Sequence, residues 1–205
     1  MKKIFDYWFP DSDDHFARIM KEDRHHQYQR EKRDTAVSYV KNFNLAIDIG
    51  GHVGLWSRPL SDKFKKVITF EPIFENRECL IKNLEGRDVD IHPYALGDKS
   101  GVIKLALPSS ENTGGYTMSS DGMSVEIKTL DEFSFNDIGF IKIDVQCMEI
   151  PVLIGSIDTL IRCNPVLCIE QGETEKPAIN FVKQIGYNLV KVVGKEHIFI
   201  KNTVL

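Results

Sequence analysis

Two acidic residues and a cluster of glycines carry the clearest chemical signal in this sequence. The stretch Asp48-Ile49-Gly50-Gly51-His52-Val53-Gly54 follows a short apolar run and opens a segment of helical length. Glycine lets a backbone turn tightly and come close to a ligand. A glycine-rich turn after the first strand is where doubly wound sheets hold a nucleotide cofactor. Glu71 ends the next apolar run, 23 residues beyond Asp48. That is close to the spacing of about 20 residues at which an acid meets the ribose hydroxyls in such folds. A carboxylate there can accept both hydrogen bonds of a 2′,3′-diol.

The acids also bear on which nucleoside would bind. The dinucleotide fingerprint is G-x-G-x-x-G, whereas the glycines here fall at 50, 51 and 54 with Asp48 just ahead. A pyrophosphate would be repelled by both Asp48 and Glu71. S-adenosylmethionine has no phosphate and carries a sulfonium and an ammonium, which acids suit. This favours the methyl donor over a nicotinamide dinucleotide.

Further groups could take part. Asp144 and Glu170 each end an apolar run, and ligands of open α/β sheets bind at the carboxyl ends of strands. Either could orient or deprotonate an acceptor hydroxyl; Asp144 could equally hold the cofactor's amino group. His52 could act as a base or only bond to the neighbouring backbone. Glu149 reads as a first-turn helix residue facing the dipole. Asn112, Thr113, Gly114 and Gly115 form a polar loop that could close over substrate or be a plain surface connection.

These residues need a scaffold. Apolar runs at 45–49, 67–70, 89–94, 140–145, 165–169, 187–193 and 197–201 alternate with helix-length segments at 54–64, 73–84, 149–162 and 176–186. That alternation predicts an α/β fold, a mostly parallel sheet covered on both faces, with a C-terminal antiparallel hairpin around Gly194. Residues 97–124 break the pattern and read as a β-ribbon at about 101–107 followed by a mobile loop, with a short strand at 125–128 and a helix start at 129–132. Residues 1–43 read as an N-terminal helical extension, with one or two helices over 14–40, and residues 44–205 as the catalytic domain. In the charged stretch 21–34 the two signs nearly cancel, which fits a solvated helix face first, and otherwise a substrate lid or a partner surface.

The chain has 205 residues, 42% hydrophobic and 27% charged, the balance of a folded globular protein. A net charge of −4 argues against wrapping long nucleic acid. The four cysteines form no C-x-x-C pair and no His sits at zinc-finger spacing, so no metal site is expected. Free thiols, no signal-peptide core and no membrane-length apolar run point to a cytoplasmic protein.

The ordered motifs resemble the FkbM family of O-methyltransferases. That family's pattern runs Asp-Val-Gly-Ala-Asn-x-Gly, Phe-Glu-Pro, Ala-Leu-Gly, Lys-Thr-Leu-Asp and Ile-Lys-Ile-Asp-Val-Glu-Gly-x-Glu, then a strand ending Ile-Glu. This chain has Asp48 to Gly54, Phe70-Glu71-Pro72, Ala95-Leu96-Gly97-Asp98, Lys128-Thr129-Leu130-Asp131, Ile141-Lys142-Ile143-Asp144-Val145 with Glu149, and Ile169-Glu170. The resemblance covers about residues 44–201.

It implies a Rossmann-like class I methyltransferase fold with S-adenosyl-L-methionine as cofactor. Asp48 with Gly50, Gly51, His52 and Gly54 would hold the methionine end. Glu71 beside Pro72 would hold the ribose, Tyr94, Ala95 and Leu96 would border the adenine, and Asp144 would sit beside the transferring methyl. Asp144 and Glu170 are then the catalytic candidates, and Asn112 and Thr113 the substrate contacts. Three positions depart from the pattern: His52 replaces Asn, and Gln146-Cys147 replace Glu-Gly. Cys147 would strain a turn that needs positive φ. The expected acceptor is a hydroxyl of a sugar or other small molecule. The alternatives are a nucleic-acid methyltransferase of the same fold or a catalytically inactive cofactor-binding protein.

Overall fold

A computed structural model describes residues 1–22, 28–108, 111–171 and 177–201. In chain order the elements are β1 (Lys2–Ile4), β2 (Tyr7–Phe9), α1 (His15–Glu22), α2 (Arg30–Val37), β3 (Leu45–Ile49), α3 (Ser57–Leu60), β4 (Lys66–Phe70), α4 (Phe74–Asn83), β5 (Val89–His92), β6 (Ala95–Leu96), β7 (Gly101–Ala106), β8 (Thr117–Met118), β9 (Met123–Lys128), a 3-10 turn (Asp131–Phe133), β10 (Ile138–Ile143), α5 (Glu149–Ile154), α6 (Ile157–Cys163), β11 (Val166–Glu170), α7 (Pro177–Gln184), β12 (Tyr187–Val193) and β13 (Glu196–Lys201).

Seven strands form the main sheet in the order β12-β13-β11-β10-β3-β4-β5. β5, β4, β3, β10 and β11 are parallel. β13 runs antiparallel to β11 and forms the expected hairpin with β12. β3, β4, β10 and β11 are apolar on both faces because helices cover both. Ile47, Ile49, Ile141, Ile143, Leu167 and Ile169 meet Val152, Leu160 and Val182 on one face. Ala46, Val67, Phe140 and Val166 meet Ala36, Val37, Trp56 and Leu60 on the other. This two-sided Rossmann-like sheet aligns the ends of β3, β4, β10 and β11, where the four named acids lie.

Two expected helices are shorter in the structure. The segment 54–64 holds a regular helix only over Ser57–Leu60. Pro59 has no N–H to give Leu55, so it is tolerated only within a first turn. Turns flank it, with Arg58 N–H bonding Gly54 O and Phe64 N–H bonding Leu60 O. The segment 149–162 divides into α5 and α6. Between them the Gly155 carbonyl leaves the helix path to accept the Asp131 N–H at 3.0 Å, and the Asp131 carboxylate accepts the N–H groups of Asp158 (3.1 Å) and Thr159 (2.8 Å) at the start of α6. The acid of Lys128-Thr129-Leu130-Asp131 is therefore a helix cap supplied from a distant loop.

The 97–124 stretch also differs from expectation. The ribbon is present as the antiparallel pair β7–β9. It grows into a four-stranded sheet, β6-β9-β7-β8, because Thr117–Met118 pairs with Leu105–Ala106 where a mobile loop was expected. Residues 109–110 of that stretch lie outside the described residues, as do much of the charged stretch 21–34, residue 176 and the terminal 202–205.

The N-terminal extension contains helices α1 and α2 and, ahead of them, the hairpin β1–β2, which replaces helix as the first element of the extension. The hairpin is formed because a positive-φ residue, Phe5, reverses the chain between two short strands. Phe9, Phe16 and Met20 are buried against Val53, Leu55 and Cys79. Asn83 anchors the hairpin, accepting the Trp8 N–H at 2.7 Å and donating to Trp8 O at 2.8 Å.

Asp131→Ala removes the cap of α6. The expected loss is about 1 kcal/mol of folding stability, read from the shift of the urea midpoint at unchanged slope. An unshifted midpoint would contradict the capping role.

Candidate functional site

The turn after β3 is set by close packing. Gly50 and Gly51 both donate their N–H groups to Phe70 O, at 3.1 and 3.0 Å. Gly50 has φ +85, and a Cβ there would sit 1.9 Å from Asp144 O; a Cβ on Gly51 would sit 2.0 Å from Thr69 Oγ1. No side chain fits at either position. The turn is thereby clamped between β4 and the chain leaving β10. His52 follows with φ 47, and its N–H donates to Glu71 Oε2 at 2.8 Å. Ile73 N–H donates to Glu71 Oε1, also at 2.8 Å. Burial pushes the Glu71 carboxyl up to about 7, although the Ile73 and His52 N–H bonds oppose the rise.

A buried lysine joins the acids. Lys142 sits in β10 in register with Asp48 and is only 4% exposed. Its Nζ lies 3.6 Å from Asp48 Oδ1 and 3.2 Å from Asp144 Oδ2, 5.4 Å from the Trp56 ring centroid. Burial disfavours the ammonium, but Asp144 and Asp48 outweigh that and raise its pKa. Asp48 Oδ2 accepts the Ser57 hydroxyl at 2.6 Å, while burial pushes its carboxyl above the usual range.

Asp144 is half-buried, and its desolvation alone would raise its pKa. The Lys142 ammonium and hydrogen bonds from Glu170, Lys142 and Gln146 more than offset this and hold it below the ordinary carboxylate range. Gln146 Nε2 donates to Asp144 Oδ1 at 3.2 Å. Glu170 behaves oppositely: burial and the Asp144 charge push it up to about 8. At neutral pH the pair holds one proton, favoured on the Glu170 side by these opposite shifts.

These groups line one cavity of about 330 Å³, within the size range of small-ligand sites. The structure brings Asp48, Gly50, Gly51, His52, Glu71, Pro72, Tyr94, Ala95, Leu96, Asn112, Thr113, Asp144 and Glu170 to its wall. Gly54 is not on the wall; it has φ +93, packs against Leu80 behind the turn, and donates its N–H to Gly51 O at 2.8 Å. Thr113 is 2% exposed and its hydroxyl is engaged by His52 and Asp13. Burial lowers the His52 imidazole to about 4 against the pull of Asp13, so the ring is neutral near pH 7.

Sequence reasoning missed part of the wall. Lys142 was quoted in a motif but given no role, although a lysine within an unbroken apolar strand is itself a signal. Phe16, Tyr28 and Gln29 come from the extension; the sequence singled out none of them, and only the lid reading of 21–34 covers Tyr28 and Gln29. Asn76 and Lys195 also reach the wall.

The donor set fits a cationic nucleoside. Asp48 Oδ1 and Asn76 Oδ1 are buried with no hydrogen-bond partner among the described residues. With Glu170 protonated, Asp48, Asp144 and a partly ionised Glu71 still outweigh the one buried lysine, so the wall favours a positive ligand.

The methyltransferase FkbM domain model matches residues 48–193. The chain belongs to the FkbM methyltransferase family. Its matched domain is a methyltransferase domain. No curated protein matches the chain significantly. Among solved structures, an FkbM methyltransferase from Methylobacillus flagellatus KT superposes with a TM-score of 0.54 at 15% identity, covering 77% of this chain and 43% of that one. The chain thus spans less than half the length of that relative. An rRNA methylase from Streptococcus thermophilus superposes with a TM-score of 0.52 at 12% identity, covering 84% of this chain and 95% of that one. At these identities the likeness speaks for the class I methyltransferase fold.

Lys142→Met strands the buried Asp48 and the half-buried Asp144 without their counter-charge. The expected loss is about 3 kcal/mol at pH 7.5. With the lysine gone, both acids bind protons more tightly folded than unfolded, so folded stability falls as pH rises above the unfolded carboxylate pKa. The deficit relative to wild type therefore shrinks as pH is lowered toward 5, in urea titrations run across that range. A deficit independent of pH would contradict the charge-compensating role.

Proposed function

We propose that this protein is an O-methyltransferase that acts on a hydroxyl of a sugar or another small molecule, with residues 44–205 as its catalytic domain and residues 1–43 as an extension over the site. The observation that carries this reading is that Asp144 and Glu170, at the ends of the paired strands β10 and β11, stand on the wall of the same cavity as the donor turn.

Bound S-adenosylmethionine supplies a methyl group on a positively charged sulfur, open to in-line attack by an acceptor oxygen. Asp48 and the turn at Gly50, Gly51 and His52 would hold its methionine end, and Glu71 beside Pro72 the ribose hydroxyls. Tyr94, Ala95 and Leu96 would border the adenine. Holding acceptor and donor in line in a water-poor cavity supplies much of the rate. The Asp144–Glu170 pair then receives the acceptor's proton: once Glu170 has ionised, a carboxylate of near-neutral basicity stands ready as general base. Asp144, kept anionic by Lys142 and Gln146, orients that partner.

A small acceptor suits a cavity of about 330 Å³ better than a polynucleotide does, as does a net charge of −4. The thiols of Cys79 and Cys168 are buried and unbridged, which suits a reducing cytoplasm. No helix among the described residues is long and apolar enough to cross a membrane.

The test is methyl transfer from tritiated donor to fractionated hydroxylated metabolites. Glu170→Gln should retain S-adenosylhomocysteine binding and lose on the order of 10²-fold in kcat. The wild-type rate should rise with pH and level off near pH 8, where Glu170 loses its proton, and that limb should vanish in the variant. Label found only in RNA, or an unchanged kcat in Glu170→Gln, would sink the reading.

A further inference from the structure

The cavity's ribose end is held from outside the family-matched region. Asp13 is fully buried and does not line the cavity. Its Oδ1 accepts Phe16 N–H at 2.8 Å. Its Oδ2 accepts Thr113 N–H at 3.1 Å and the Thr113 hydroxyl. A carboxylate can only accept, so the single hydroxyl proton of Thr113 is committed to Asp13. The Thr113 oxygen must then accept from His52 Nε2–H, 2.8 Å away, which fixes the imidazole tautomer. The His52 backbone N–H in turn donates to Glu71. Asn76 closes the circuit by donating Nδ2 to Thr113 O at 2.9 Å, leaving its Oδ1 unpartnered on the cavity wall.

The same contacts seat the N-terminal segment. The Phe16 ring lies 4.8 Å from the His52 ring. The N–H groups of Asp14 and His15 donate to Glu111 O at 3.1 and 2.9 Å. Thr113 therefore bonds on one side to the extension and on the other to the two residues, His52 and Asn76, that frame Glu71. Ordering either side orders the other.

We propose that Asp13 is a positioning residue for the cofactor: through Thr113 and His52 it fixes Glu71, and it latches the N-terminal segment over the cavity so that cofactor and segment are held cooperatively. This rests on the reading that the ribose is held at Glu71. Coupling of this kind is reciprocal: if the latch strengthens cofactor binding, the cofactor must protect the segment.

Three measurements on the full chain decide it. Asp13→Asn keeps the volume but faces the Thr113 N–H and hydroxyl with an amide donor. It should weaken S-adenosylhomocysteine binding by about tenfold in calorimetry, the effect of one charge-assisted buried hydrogen bond. Thr113→Val should cost about as much, and the double variant little more than either, because both break one chain of bonds. In wild type, S-adenosylhomocysteine should slow amide exchange across residues 1–22, a readout that stands even if a variant fails to fold. Asp11→Asn, at the exposed N-terminus, should leave affinity unchanged. Wild type that binds no S-adenosylhomocysteine overturns the cavity reading and the latch with it. Wild type that binds, with Asp13→Asn binding equally, with additive losses, or with exchange across 1–22 unchanged, overturns the latch alone.

Discussion

The site depends on one crowded crossing of backbone. The turn after β3 passes so close to the Asp144 carbonyl and to Thr69 that neither Gly50 nor Gly51 can carry a Cβ.

 The Asp144 carbonyl on one side and the Thr69 hydroxyl on the other leave room for hydrogen atoms only. That crowding lets Phe70 O accept two successive N–H groups, and it draws the ends of β3, β4 and β10 together. Asp48, Glu71 and Asp144 come from three strands and far-apart stretches of chain, yet they share one cavity because the strand ends are pinned at this point. A methyl group at either glycine would push the strands apart and separate the acids, whatever it did to the turn itself.

The acids would repel one another if nothing opposed them. Lys142 opposes two of them directly, and a proton shared between Asp144 and Glu170 removes a third charge at neutral pH. Glu71 is left to burial and two backbone N–H groups, which is why its carboxyl titrates near 7. Gln146 fits the same logic. Where the family pattern has a glutamate, this chain places an amide that donates to Asp144; a second carboxylate there would compete with Asp144 for Lys142. The departure removes one candidate base and steadies another.

Much of this was legible in the sequence. The continuous apolar runs announced β3, β4, β10 and β11, since strands buried on both faces leave no alternation to misread. The Asp48 turn and Glu71 were found from their spacing alone. Local backbone chemistry was harder to read. The helix expected over 54–64 lost its length to Pro59, and β8 arose where glycines and hydroxyl residues suggested a loop, because cross-strand pairing overrides local preference. The Asp13–Thr113–His52 chain left no trace in the sequence: its members are 100 and 61 residues apart, and no local pattern links them. Lys142 was visible as an anomaly, a charge inside an apolar strand, but only the register with Asp48 explains it.

The three departures from the family pattern share a backbone property. His52, Gln146 and Cys147 have φ values of 47, 48 and 71, so each non-glycine residue sits in the left-handed region that asparagine and glycine occupy at least cost. The strain expected at Cys147 is thus present. Each such residue costs of order 1 kcal/mol and persists only where its surroundings over-determine it. His52 is fixed by Glu71 and Thr113, and Gln146 by Asp144. Strained residues held by the very acids that line the cavity give the site little freedom to relax when a ligand enters. Such pre-organisation suits a reaction whose rate comes chiefly from alignment, because the geometry is set during folding rather than at the moment of transfer.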